Sequence, residues 1–234
     1  MKLAIYCADI GSVPRGRFGW ARSNTDEAGI ERHRGGTEII ELVDAVAEDL
    51  AADRAVALGF ECPLFVGVPT QPLRLGTARR GEGNRSWSAG AGAGALATGL
   101  VEVAWILGEL RHRCPGTEAH LDWSRFAGAG RGLFLWEAFV SADAKAATHV
   151  DDATIAVRTF REALPDPNAA NAVGAERPIS LLGGALIWSG WRDDVDLLHT
   201  PCVVIKAGPK EASNAELAVE PTLTDTPANL PTPP

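Results

Sequence analysis

Four carboxylates stand where apolar runs end or a helix begins. Asp9 follows the apolar residues 2–8, Glu61 follows residues 55–60, Glu137 lies in the run 132–140, and Asp152 opens a helical stretch. A carboxylate beside a buried strand is costly unless it is paired or binds a cation. Three or four that converge can hold two divalent ions about 4 Å apart, which activate a water and stabilise the leaving oxygen of a phosphodiester. All-oxygen ligands suit Mg2+ or Mn2+. Each acid alone reads as a strand-end or surface charge; the recurrence of the four in strand and helix order points to a shared site. Helix phase chooses between the adjacent acids. Asp152, Ile155, Ala156 and Phe160 fall on one face, so Asp152 points inward and Asp151 lies nearer the edge.

A second candidate is the segment 79–88, dense in arginine for an acidic chain. The guanidinium groups of Arg79, Arg80 and Arg85 suit phosphate oxygens. Asn84 suits a polar group, and the Trp87 ring suits a base or sugar. The competing reading is a solvated loop whose Trp packs back on the domain. His149, just before the two aspartates, reads as a helix-cap or surface histidine that is also placed for proton transfer. There is no Gly-x-Ser-x-Gly elbow and no Gly-Lys-Ser/Thr phosphate loop.

The elements that must position these groups alternate between strand and helix. Residues 2–8 read as a buried strand, and 15–21 as the start of an antiparallel second strand. A third short strand is expected within 22–36. Residues 37–51 give the clearest helix, with Thr37 as N-cap and Ile39, Leu42, Val43, Val46 and Leu50 on one face. Strands follow at 55–60, 132–140 and 201–206, and helices at 91–111, 150–163 and 180–188. Residues 66–90 read as a long polar loop. Trp105, Trp123, Trp136, Trp188 and Trp191 read as packing residues. From 209 to 234 no apolar period appears and proline is frequent, which predicts a flexible tail after a single domain spanning 1–208.

The whole chain has 234 residues, a formal net charge of -8 and 46% hydrophobic residues, enough for one sizeable core. The acidic balance disfavours a surface that coats nucleic acid broadly, though not a local grip on a phosphate chain. The four cysteines are scattered without a Cys-x-x-Cys pair, as expected of thiols packed in a cytoplasmic core. No uninterrupted apolar run reaches the roughly 18 residues of a membrane span, and the N-terminus lacks a cleavage-like pattern.

The arrangement resembles the ribonuclease H-like fold, an α/β architecture with a mixed central sheet flanked by helices. In that fold one acid lies on the first, central strand, others on later strands and one on a late helix. The matching pieces are Asp9-Ile10-Gly11-Ser12 with Gly19-Trp20-Ala21, Gly59-Phe60-Glu61-Cys62-Pro63-Leu64, Leu135-Trp136-Glu137-Ala138-Phe139 and His149-Val150-Asp151-Asp152-Ala153. Together they span about residues 1 to 206, and they resemble a family of predicted RNase H-like nucleases. The resemblance implies that Asp9, Glu61, Glu137 and Asp152 bind Mg2+ or Mn2+ and act on nucleic acid. Glu61 stands where Asp is more usual. The alternative is a catalytically silent domain of the same fold that binds a nucleotide, nucleic acid or protein.

Overall fold

The computed structural model describes residues 2–25, 29–140 and 144–208. The expected tail, 209–234, lies outside them. Nine strands and five α-helices are formed among the described residues. The first strand, β1 (Leu3–Asp9), runs between β2 (Gly19–Thr25), antiparallel to it, and β4 (Ala55–Glu61), parallel to it. β3 (Glu31–Gly36) pairs with β2 at one edge. On the other side β7 (Leu133–Val140) runs parallel to β4. The short β6 (Ala119–His120) and β9 (Val204–Ala207) flank opposite ends of β7, both parallel to it. The result is a mixed sheet in the order β3-β2-β1-β4-β7-β6, with β9 beside β7. A separate two-stranded ribbon joins β5 (Phe65–Gly67) to β8 (Pro178–Ser180).

Helices cover both faces. α1 (Ile39–Ala51), α2 (Gly90–Arg113) and α5 (Leu181–Trp188) pack on one side. α3 (Trp123–Ala129) and α4 (His149–Glu162) pack on the other. The period of two along each strand sorts the residues between them. Ala4, Tyr6 and Ala8 of β1, with Val56, Leu58 and Phe60 of β4, face α1 and α2. Ile5, Cys7, Ala55 and Ala57 face α4. On that side Trp136 packs tilted against Phe160 at 4.5 Å between centroids, in a cluster with Trp123, Phe126 and Phe134. A Cβ at Gly59 would lie 2.3 Å from the Trp136 ring, so only glycine fits under that indole.

Several local expectations need correction. α1 begins at Ile39 with Glu38 in the capping position, and Thr37 lies before it. The second strand starts at Gly19, because Val13–Arg15 winds into a short 3-10 turn. The segment 66–90 is less of a loop than expected, since β5 opens it and Pro72–Arg74 forms another 3-10 turn. α2 is long and apolar enough by composition to cross a membrane. Here it lies against α1 and α5, with Val103, Ile106, Leu107 and Leu110 buried. Trp123, Trp136 and Trp191 are packed as expected, but Trp105 is 40% exposed and Trp188 73%. All four cysteines are buried thiols.

Candidate metal centre

Asp9 and Glu61 are neighbours for a reason of register. They end two parallel strands and are paired Cα to Cα, so their side chains leave the same face, the one toward α4. α4 brings the third acid. Its N-cap is Thr148, whose hydroxyl accepts from the backbone N–H of Asp151 at 3.1 Å and donates to the Asp151 carboxylate at 2.7 Å. That cap turns Asp151 outward and leaves it exposed, while Asp152 one position on is buried against the sheet. The first turn of α4 comes close because Gly19 lies beneath it. A Cβ there would lie 2.5 Å from the carbonyl carbon of His149. Asp9 is the strand partner of Gly19, so this contact sets the height of α4 above the acid.

Ligand oxygens of Asp9, Glu61 and Asp152 all lie within 4.8 Å of one another. The three acids are poorly neutralised. Burial, and then the negative charge of Asp9, pushes the Glu61 carboxyl up to about 9. Burial also raises Asp9, against the pull of His149 and Lys145. Glu61 Oε2 is buried with no hydrogen-bond partner. Three groups compensate the rest. His149 Nδ1 lies 2.5 Å from Asp9 Oδ2. The backbone N–H of Ala146 donates to Asp152 Oδ1 at 2.6 Å. The Lys145 ammonium bridges Glu61 Oε1 and Asp152 Oδ2, at 3.2 Å from each. Burial disfavours the charge on Lys145, but Glu61, Asp9 and Asp152 outweigh it and raise its pKa.

Glu137 does not join this set. It is paired in register with Phe60, one residue short of Glu61, and shares its parity with Leu133 and Leu135. Its side chain therefore leaves the opposite face of the sheet. There Arg79 meets it in a two-pronged ion pair, with Nη2 donating to Oε1 at 2.6 Å and Nη1 to Oε2 at 2.9 Å. The backbone N–H of Leu64 donates to Oε2 as well, at 2.9 Å. Arg79 is accordingly no phosphate ligand on an open loop. It is 5% exposed, and its Nε donates to Glu82 Oε1 at 2.8 Å. The expectation of four converging acids becomes three, and of the three expected arginines only Arg85 lines the acid cleft without being held in an ion pair there.

The remaining loop residues separate. Arg85 and Trp87 line a cleft of about 490 Å³ that also contains Asp9, Glu61, Lys145 and His149, and the Arg79, Glu82 and Glu137 network lines the same cleft. Trp87 donates from Nε1 to the carbonyl of Thr77 at 3.2 Å, which fixes the indole while leaving it half-buried. Arg80 faces a different groove with Arg74 and Glu176, its backbone bridged to Gly174. Asn84 is exposed and does not line the acid cleft.

Sequence reasoning missed two further arginines at the rim. Arg15 and Arg17 flank Gly16, whose φ of 63° closes the turn after β1, and both are exposed and line the acid cleft. Glu102 on α2 accepts from the backbone of Val13 and Gly11 and so ties this turn down. Burial pushes its carboxyl up to about 7, against those hydrogen bonds. The Arg-Gly-Arg spelling was the available signal, but it read as the beginning of a strand. Lys145 gave no signal, because it lies in a connection without periodicity. Comparison with protein-family models, curated proteins and solved structures finds no match to this chain.

Proposed function

We propose that the protein is a divalent-metal-dependent phosphodiester hydrolase acting on nucleic acid through an RNase H-like domain. The observation that carries this reading is the Asp9–Glu61–Asp152 cluster with the buried, unpartnered Glu61 Oε2. An orphaned carboxylate oxygen among two other acids is the donor set of a hard cation. The acids also follow the order of the resembling fold, with one on the first, central strand, one on the neighbouring parallel strand and one on a late helix.

The division of labour within the cleft follows from charge. Asp9 and Glu61, which line the cleft, would hold Mg2+ or Mn2+ together with Asp152. When bound, such an ion supplies Lewis-acid charge for phosphate oxygens and lowers the pKa of water. Arg15, Arg17 and Arg85 at the rim attract and align a phosphate chain, so an acidic protein grips its substrate locally. The Trp87 ring offers a stacking face for a base. His149, hydrogen-bonded to Asp9 and reaching the cleft, is placed to hold or pass a proton.

A second reading is a silent domain of the same architecture. It draws on Lys145, which already gives the cluster a positive charge. Calorimetric Mn2+ titration of wild type and Asp9→Asn, paired with cleavage assays on single- and double-stranded DNA and RNA, separates the two. Wild type should bind Mn2+ and cut at least one substrate, and Asp9→Asn should lose both. No binding at millimolar Mn2+, or equally tight binding by Asp9→Asn, defeats the metal reading. Binding without cleavage puts the silent domain first.

A further inference from the structure

We infer that the centre takes one divalent ion rather than two, because the Lys145 ammonium occupies the second cation position. This rests on the metal reading above and specifies it. Two-ion centres need carboxylates shared between ions about 4 Å apart. Here the sharing position between Glu61 and Asp152 is filled, since Nζ lies 3.2 Å from an oxygen of each. Asp152 is already engaged at both oxygens, as its Oδ1 accepts from the Ala146 N–H and its Oδ2 from Lys145, so each keeps only one lone pair for a cation. The unpartnered oxygen is Glu61 Oε2, on the carboxylate whose strand partner is Asp9. One ion would therefore be held by Asp9, Glu61 and the lone pairs left on Asp152, and a second would have to displace the ammonium.

Charge balance agrees. Three ionised carboxylates are matched by one divalent ion and one ammonium, whereas two divalent ions beside Lys145 would leave an excess of positive charge. Lys145 is thus a positioning and stoichiometry-setting residue. It holds Glu61 and Asp152 apart and oriented, and it selects against a second hard cation by occupying that cation's ligands.

The test is the stoichiometry of Mn2+ binding at pH 8 by wild type, Lys145→Met and Lys145→Arg, with melting curves to confirm folding. Wild type should bind one ion. Lys145→Met should bind two, or one at least about ten-fold more tightly, because the competing charge is gone. Lys145→Arg keeps that charge and should bind one ion. The Lys145 side chain is 41% exposed on a connection ahead of α4, so its loss should leave the core intact. Two ions in wild type overturn the inference but leave the metal reading standing. Unchanged number and affinity in a folded Lys145→Met also overturn it. No ion in any of the three removes the metal reading and the inference together.

Discussion

Two groups of acids sit at the same end of one sheet, on opposite faces, and they differ in how completely they are paired. On the face toward α1 and α2, Glu137 and Glu82 close around Arg79. Every side-chain nitrogen of that arginine has an acceptor, one of them the carbonyl of Phe65. On the face toward α4, Asp9, Glu61 and Asp152 share a half-exposed lysine and a histidine, and one buried oxygen has nothing. A buried ion pair with all its donors met is a structural device. A buried acid left short of partners costs stability and is tolerated where something else is to bind. The difference teaches that residue type at a strand end does not mark a site, whereas the deficit of partners does.

The sharpest way to break this comparison is to damage the paired side. Arg79→Met strips two buried carboxylates of their cation and should cost about 3–5 kcal/mol, lowering Tm by roughly 10 °C. A change under about 3 °C in thermal melts would mean that the network is not structural, and the contrast would collapse.

The opposite sign is expected on the unpaired side. Glu61 titrates near its ordinary value of 4.5 in the unfolded chain and near 9 when folded, through burial first and Asp9 second. Between those values the folded protein keeps a proton that the unfolded chain has lost. Stability of the metal-free protein should therefore fall as pH climbs from about 4.5 to about 9. Glu61→Gln cannot ionise, so it should flatten that decline and raise Tm at pH 8 by about 3 °C. Melting curves across this pH range decide it, and a variant less stable than wild type at pH 8 would show that the ionised acid is well satisfied after all.

The smallest effect sharpens the boundary of the cluster. Asp151 is exposed and touches Thr148, so Asp151→Asn should alter stability by less than about 0.5 kcal/mol and leave Mn2+ affinity within about two-fold. Asp152→Asn, one residue along, should weaken Mn2+ at least ten-fold by the same calorimetry. Equal effects at both positions would mean that the cluster extends to the helix surface.

What the sequence made legible follows from where it carries a period. α4 is amphipathic, so its phase separated Asp152 from Asp151 correctly. β1 and β4 are apolar runs that stop at an acid, so Asp9 and Glu61 could be placed at strand ends. β7 is apolar on both faces, as a central parallel strand must be, and so carries no alternation to tell which way Glu137 points. Only the register with β4 reveals that Glu137 is level with Phe60. Arg79 is illegible for a related reason, since a guanidinium in a glycine-rich segment reads as solvated until its two carboxylate partners are in place. α3, β5, β6 and β8 are each too short for a periodic signal. Lys145 reaches Glu61 across 84 residues of chain, a proximity that no local pattern encodes.

The contact at Gly19 gives the cluster a mechanical property. At Gly19 the strand offers no side chain to the first turn of α4, and the nearest atoms above it are the His149 carbonyl carbon and Cβ and the Val150 nitrogen. The separation between the sheet's acid and the helix's acid is thus limited at this point by the close approach of the helix backbone to a strand position that carries no Cβ. Side chains elsewhere under α4 can breathe without altering it. A spacer with so little to repack has few soft degrees of freedom, which helps a centre mounted on it keep its dimensions as thermal motion moves the surrounding core.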